Sequence, residues 1–179
     1  MLELLLDEIN KIKTPEIHKL VKTIVDKTPL NSWIKPSSLY HHMPDECLEW
    51  GNLIHTLRVC DICDIFSDVM NYDQIEKDKL KASAILHDCC KFDKDGNSIK
   101  IINDHAQVAA DCVIETGIGT SEEYDIYTNV RLHMGRREKT KPGETPLNWN
   151  NFIFSSNDLD AFILHCSDAI EANLSRVLR

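Results

Sequence analysis

The sequence predicts an all-α domain, a single helical bundle, on three observations. Apolar residues recur at helical spacing through most of the chain. Cap residues stand where those patterns begin. No convincing strand alternation and no internal repeat interrupts them. A length of 179 residues suits one domain with a real core and leaves little room for a second. Residues 1–35 read as N-terminal helices packing on a core formed by 36–179, one compact domain overall.

Leu2, Leu5, Leu6, Ile9 and Ile12 share a helical face, with acids opposite. Thr14-Pro15-Glu16 restarts the chain with a cap residue, Pro at the first helical position and an acid in the first turn. Ile17, Leu20, Val21, Ile24 and Val25 form the next stripe, and Pro29 ends it. From Pro29 to Pro44 the chain reads as irregular, with Pro36, Ser37, Ser38 and the His41-His42 pair. A long helix from about Glu46 to Val69 carries Leu53, Leu57, Cys60, Phe66 and Val69.

Asp73 with Glu76 has capping-box spacing and starts a helix that finishes at His87-Asp88. Asp93-Lys-Asp-Gly-Asn is a turn; its Gly comes three residues after the first Asp rather than five, which excludes a calcium loop. Asp104 caps a helix through Ile114 that Gly117 closes. Thr120 with Glu123 caps another, carrying Tyr124, Tyr127 and Val130 toward His133. Met134 to Ser155 reads as a long loop, a length that inside a compact domain is usually functional or mobile. Asn157 caps the last helix, whose inner stripe is Leu159, Phe162, Ile163, Cys166, Ile170, Leu174 and Val177.

Hydrophobic residues make up 42% of the chain, too many for a disordered protein. With 20 Lys+Arg against 29 Asp+Glu the net charge is −9, which argues against extended nucleic-acid binding but permits a small basic mouth. The seven cysteines are odd in number and form no framework, so they read as reduced buried thiols in a cytoplasmic protein. Cys60-x-x-Cys63 is half a zinc site without a second pair. The start is apolar but broken by acids, unlike a signal peptide, and no run approaches the ~20 apolar residues of a membrane span. These features predict a soluble protein with no membrane partner.

Within the helical frame stand His55, His87, Asp88, His105, His133 and Asp168, in the order H…HD…H…H…D. Imidazole nitrogens with carboxylate oxygens make a shell that suits Mn, Fe, Zn or Mg and discriminates poorly among them. Six ligands exceed what one tetrahedral ion needs, so two ions sharing a bridging carboxylate are expected, and paired ions suggest phosphate-ester hydrolysis. His87-Asp88 ends the apolar run Ala82, Ala84, Ile85 and Leu86, a costly place for two ionisable groups unless a cation compensates. Successive helical side chains diverge by ~100°, so His87 can serve one ion while Asp88 bridges two. His55 lies among Leu53, Ile54 and Leu57, and Asp168 between Ile163–Cys166 and Ile170, again polar in apolar surroundings. Buried His–Asp hydrogen bonds and helix caps without metal are the alternative.

Gly51-Asn-Leu-Ile-His55-Thr-Leu-Arg-Val, Ala84-Ile-Leu-His87-Asp88-Cys-Cys-Lys91 and Leu164-His-Cys-Ser-Asp168 resemble the HD-domain metal-dependent phosphohydrolases, over roughly Pro36 to Leu174. Asp104-His105-Ala-Gln-Val-Ala-Ala and Arg131-Leu-His133-Met-Gly look like the extra histidines of the binuclear branch. The resemblance implies a helical bundle that hydrolyses phosphoesters, often of nucleotides. By position, His55, His87, Asp88 and Asp168 hold the first ion and His105 and His133 the second, with Asp88 bridging. Lys91 stands in the place of the family's HDxxK lysine, facing the substrate phosphate. Tyr40-His41-His42 ahead of Gly51 to Thr56 is similar to bacterial HD exoribonucleases, which carry an OB-type domain that these residues do not include. His133 followed by Gly and Arg, then a distant Asp168, resembles HD hydrolases of diadenosine tetraphosphate. Cys89-Cys90 in place of Ile-Gly, and Asn52 in place of Gly, depart from the family pattern and leave the subgroup open.

The expected activity is cleavage of a phosphoester or phosphoanhydride in a small nucleotide-like substrate by metal-activated water. Its cofactors are one or two divalent ions (Mn, Fe, Mg, Zn or Ni), and Asp88 and Lys91 carry the catalysis. His42, Arg136, Arg137 and Lys139, with Lys141 nearby, are candidates for a substrate-facing mouth; a solvated loop is the competing reading. His165 shares roughly the face of Asp168, as a partner to a ligand or as a structural residue, and His18 reads as surface. Cys89 and Cys90 are expected to pack beside the site. A metal- or nucleotide-binding sensor without turnover, motivated by Cys89-Cys90, and a di-iron oxygenase with the same ligands are the alternative functions. The oligomeric state stays open.

Overall fold

Two amphipathic helices, α1 (Leu2–Lys11) and α2 (Pro15–Lys27), open the chain. The computed structural model describes residues 1–38, 43–97, 105–117, 119–134, 146–149, 152–155 and 158–177. A short α3 (Asn31–Ile34) follows, then α4 (Gly51–Val69), α5 (Gln74–Leu86), α6 (His105–Thr116), α7 (Ser121–Leu132) and α8 (Leu159–Val177). Between α7 and α8 lies a hairpin of β1 (Pro146–Trp149) and β2 (Phe152–Ser155). The fold is all-α, with that one small sheet as an accessory.

Helix α4 packs on α5 and α8, α5 on α7, and α6 on α7. The N-terminal pair covers one side, α1 against α4 and α2 against α5 and α6. Leu5, Val21, Leu53, Ile85, Ile126 and Leu164, from six different helices, belong to one buried apolar cluster. Burial of such faces is what holds short helices that are marginal alone.

Both predicted capping boxes form. Asp73 accepts from the Glu76 amide while Glu76 returns to the Asp73 amide, and Thr120 and Glu123 do the same for α7. These boxes set where α5 and α7 start, and each helix then delivers a histidine at its other end, His87 and His133.

Four readings of the sequence are corrected. The stretch from Met134 to Ser155 is not all loop, because Pro146↔Ser155 through Trp149↔Phe152 pair antiparallel. Phe-Ile-Phe has strand propensity, but four-residue strands are too short for alternation to show. The irregular stretch after Pro29 contains α3, anchored by buried Trp33. Helix α4 starts at Gly51 rather than near Glu46, because Trp50 adopts a left-handed backbone (φ 69°) that interrupts the helical path. Finally, Leu2, Leu6, Val69, Leu159 and Leu174, predicted as inner, face solvent. On α8 the buried face instead includes Leu164, Ser167 and Glu171, a partly polar stripe that an apolar count overlooks. The Asp104 and Asn157 caps and the Val177 side chain lie outside the described residues.

Gly51 makes the corner possible. A Cβ there would overlap the carbonyl oxygen of Glu46, which also accepts from the Ser37 amide at 3.0 Å. Gly51→Ala is therefore expected to lower stability by roughly 2–3 kcal/mol, the scale of forced overpacking, read from urea unfolding. A change below about 0.5 kcal/mol would show that the turn relaxes freely.

Cys60 and Cys63 are buried thiols outside any disulfide. No helix among the described residues is long and apolar enough to cross a membrane.

Candidate metal centre

Four helices converge on one buried point. His55 projects from the second turn of α4, His87 and Asp88 follow the last turn of α5, His133 ends α7, and Asp168 comes from α8. His105 opens α6 from the far side. All six predicted ligands are thus brought together.

The imidazoles are aimed by their backbones. His87 Nδ1 donates to the Ala84 carbonyl at 2.7 Å, and His133 Nδ1 to the Val130 carbonyl at 2.7 Å. A carbonyl only accepts, so each Nδ1 keeps its proton and the Nε2 lone pair points inward. His55 is fixed by a carboxylate instead, with Nδ1 2.7 Å from Glu171 Oε2.

The inward atoms fall into two groups sharing Asp88. His55 Nε2 lies 3.3 Å from His87 Nε2 and 3.2 Å from Asp168 Oδ1, while Asp88 Oδ2 is 3.5 Å and 3.3 Å from the two rings. On the other side Asp88 Oδ1 lies 3.3 Å from His105 Nε2, which is 3.2 Å from His133 Nε2. His55, His87 and Asp168 can hold one cation, and Asp88, His105 and His133 another. Among the described residues, buried Asp88 Oδ1 has no hydrogen-bond partner, and a cation would satisfy it. The residues present therefore fit divalent metal.

The charges reinforce this arrangement. Burial alone would raise the carboxyl of Asp88, yet Lys91 and His87 hold it well below the usual range. Asp168 is likewise pulled down against burial, chiefly by His55. Burial opposes charge on His55, but Asp168 and Glu171 outweigh it and raise the ring to about 10. Burial and the neighbouring rings His87 and His105 lower His133 to about 3, and burial lowers His105 as well. One ring thus carries a proton that two others lack.

Lys91 forms an ion pair with Asp88 and lies 3.4 Å from Ser37 Oγ. The side chains of Lys91, Asp168 and His105 are 21%, 21% and 22% exposed, whereas His55 and His87 are sealed. The centre therefore opens on the Lys91–Asp168–His105 side. His42, Arg136, Arg137, Lys139 and Lys141 lie outside the described residues.

Both departures from the family pattern have places in the packing. Asn52 donates to the Ser32 carbonyl (2.8 Å) and the Asp88 carbonyl (3.2 Å), tying α3 to the His87-Asp88 turn. Cys89 and Cys90 are buried beside the site, and Cys90 Sγ is 3.5 Å from Cys112 Sγ. His165 Nδ1 donates to the His133 carbonyl at 2.8 Å, so it braces the ligand-bearing turn. Sequence reasoning missed Glu46, Arg58 and Glu171, which stand behind His55. Glu171 follows Asp168 by three residues, and that helical spacing was the available signal.

No curated protein and no solved structure matches the chain significantly. The sequence model of the HD domain matches residues 52–173, well over half of the chain. That match spans α4 to α8 and contains all six converging residues. The chain belongs to the HD-domain family, within the metal-dependent phosphohydrolase superfamily.

Proposed function

We propose that this protein is a phosphohydrolase that cleaves a phosphoester or phosphoanhydride of a small nucleotide-like substrate, using one or two divalent ions. The observation that carries the reading is the division of Asp88, one oxygen toward His55 and His87 and the other toward His105. In this reading His55, His87, Asp88 and Asp168 hold the first ion, and Asp88, His105 and His133 the second. Bound divalent ions supply Lewis acidity toward phosphate oxygens and bring the pKa of water toward neutrality.

The chain's own groups do the rest. The Nδ1–H groups of His87 and His133 stay on backbone carbonyls, which fixes both rings through turnover. Lys91, at the open edge and beside Asp88, offers its ammonium to a substrate oxygen as negative charge builds. The sealed inner wall of His55 and His87 keeps bulk water from one side of the reacting centre. Arg136, Arg137, Lys139 and His42 are candidates for substrate contact in this proposal on their side-chain chemistry alone. The net charge of −9 supports a small substrate over an extended nucleic acid.

The test is a metal-supplemented assay with bis(p-nitrophenyl) phosphate, mononucleotides, dinucleoside polyphosphates and short RNA. Turnover of a small phosphorylated compound with Mn²⁺ is expected. Thermal stabilisation by nucleotides without product would favour the sensor instead, and iron-dependent O₂ uptake the oxygenase.

Proton release gives an independent check. His55 at about 10 carries a proton near neutral pH, and a metal needs its neutral ring. His105 and His133 are already neutral there. Uptake of the first Mn²⁺ near pH 8 is therefore expected to release about one proton, and the second almost none. First-ion affinity rises with pH up to about 10, where the competing proton is lost. Indicator-dye titration in weak buffer reads both steps; equal release at each would contradict the assignment.

A further inference from the structure

Behind His55, on the side away from the other ligands, lies a second set of charges. Glu46 and Glu171 are both fully buried, and both face His55 Nδ1, at 3.7 Å and 2.7 Å. Together the three residues have the spacing of a cation site. A guanidinium already supplies positive charge to it, however. Arg58 Nη1 is 2.6 Å from Glu46 Oε1 and 3.8 Å from Glu171 Oε1, and the other edge of the fork engages Asp45 Oδ2 through Nη2 at 2.7 Å.

We infer that Arg58, Glu46 and Glu171 form a brace that positions His55 and increases its donor strength toward the first ion, rather than a third metal site. This rests on the metal reading above. Two buried carboxylates sharing one guanidinium are costly unless each has a defined partner. Here Glu171 directs its second oxygen to His55 Nδ1–H. That bond fixes the ring plane and leaves Nε2 to face His87, Asp88 and Asp168. A carboxylate behind a ligating imidazole raises its basicity, whereas the carbonyl partners of His87 and His133 do so less.

Sequence and backbone place the brace with care. Arg58 lies three residues beyond His55 on α4, hence on an adjoining part of the helix. Glu171 has the same relation to Asp168 on α8. Glu46 arrives by the turn that only Gly51 permits. The brace therefore couples the start of α4 and the middle of α8 to one ring. The matched HD segment begins at residue 52, so Glu46 comes from outside it.

Stepwise Mn²⁺ titration followed by electron paramagnetic resonance, with the full chain, tests the idea. Glu171→Gln keeps the size but loses the charge and is expected to weaken the first ion roughly tenfold to hundredfold. The second ion and the melting temperature should change little. Equal weakening of both ions would reveal a general structural role and overturn the brace, as would first-ion affinity within about twofold of wild type. Binding of three Mn²⁺ by wild type would overturn it too. Should Glu171→Gln fail to fold, Glu171→Asp keeps the charge but withdraws it, and unchanged first-ion affinity there rejects the proposal. Absence of any Mn²⁺ on wild-type protein would instead defeat the metal reading itself, and this inference with it.

Discussion

Replacing Asp88 by alanine is expected to remove both metal ions at once and reduce hydrolysis by at least roughly 10²–10³-fold, the scale of losing a principal electrostatic contact to the transition state. Asp88 places one carboxylate oxygen toward each group of ligands. His133→Ala, by comparison, should cost only the second ion. The fold should survive Asp88→Ala, because the Asp88 backbone carbonyl, not its side chain, anchors the turn to Asn52. Metal analysis after reconstitution, turnover with bis(p-nitrophenyl) phosphate and far-ultraviolet circular dichroism together read the outcome. Retention of two ions by Asp88→Ala would show that this carboxylate does not bridge. A collapsed dichroism spectrum would show that its charge is structural.

The second large effect involves residues outside the metal centre. Lys81 on α5 is buried and bonds Glu8 Oε2 of α1 at 2.9 Å and Asp64 Oδ2 of α4 at 2.8 Å. Lys11 also pairs with Glu8. Lys81→Met is expected to destabilise the protein by on the order of 3 kcal/mol, because removing one partner leaves the buried Glu8 carboxylate poorly compensated. Urea unfolding measures this. An unchanged midpoint would mean that Lys11 suffices to compensate Glu8.

The pH dependence follows from the same group. Burial opposes the Glu8 carboxylate, but Lys11 and Lys81 outweigh it and hold its pKa below the ordinary 4.5. A depressed carboxyl contributes stability that is fully present above its unfolded value. That contribution is lost as pH falls through the folded value. Acid sensitivity beginning below about pH 4.5 is therefore expected, and Glu8→Gln should blunt it.

Helix positions were legible where local chemistry decides them. The Asp73–Glu76 and Thr120–Glu123 boxes are contacts across one turn, so sequence spacing alone predicts them. The H…HD…H…H…D order was legible for another reason. Buried imidazoles and carboxylates are costly, and their placement in apolar runs exposes a need for compensation. Helix faces were read less well. Leu159 and Leu174 sit outward because α8 turns Ser167 and Glu171 inward, and apolar periodicity gives such a face no weight. Short strands escaped for want of length, as Phe152–Ser155 shows.

By itself, then, the sequence determined an all-α chain, the two capping boxes at Asp73 and Thr120, and the six residues that meet at the centre. Only the tertiary structure decided which oxygen of Asp88 faces which histidine, and that Glu46, Arg58 and Glu171 stand behind His55. The reason is range. Caps and helical stripes arise from interactions over three or four residues, which spacing records. The partners of His55 lie as far as 116 residues away along the chain, at a distance and orientation that only the packing of α4 against α8 fixes.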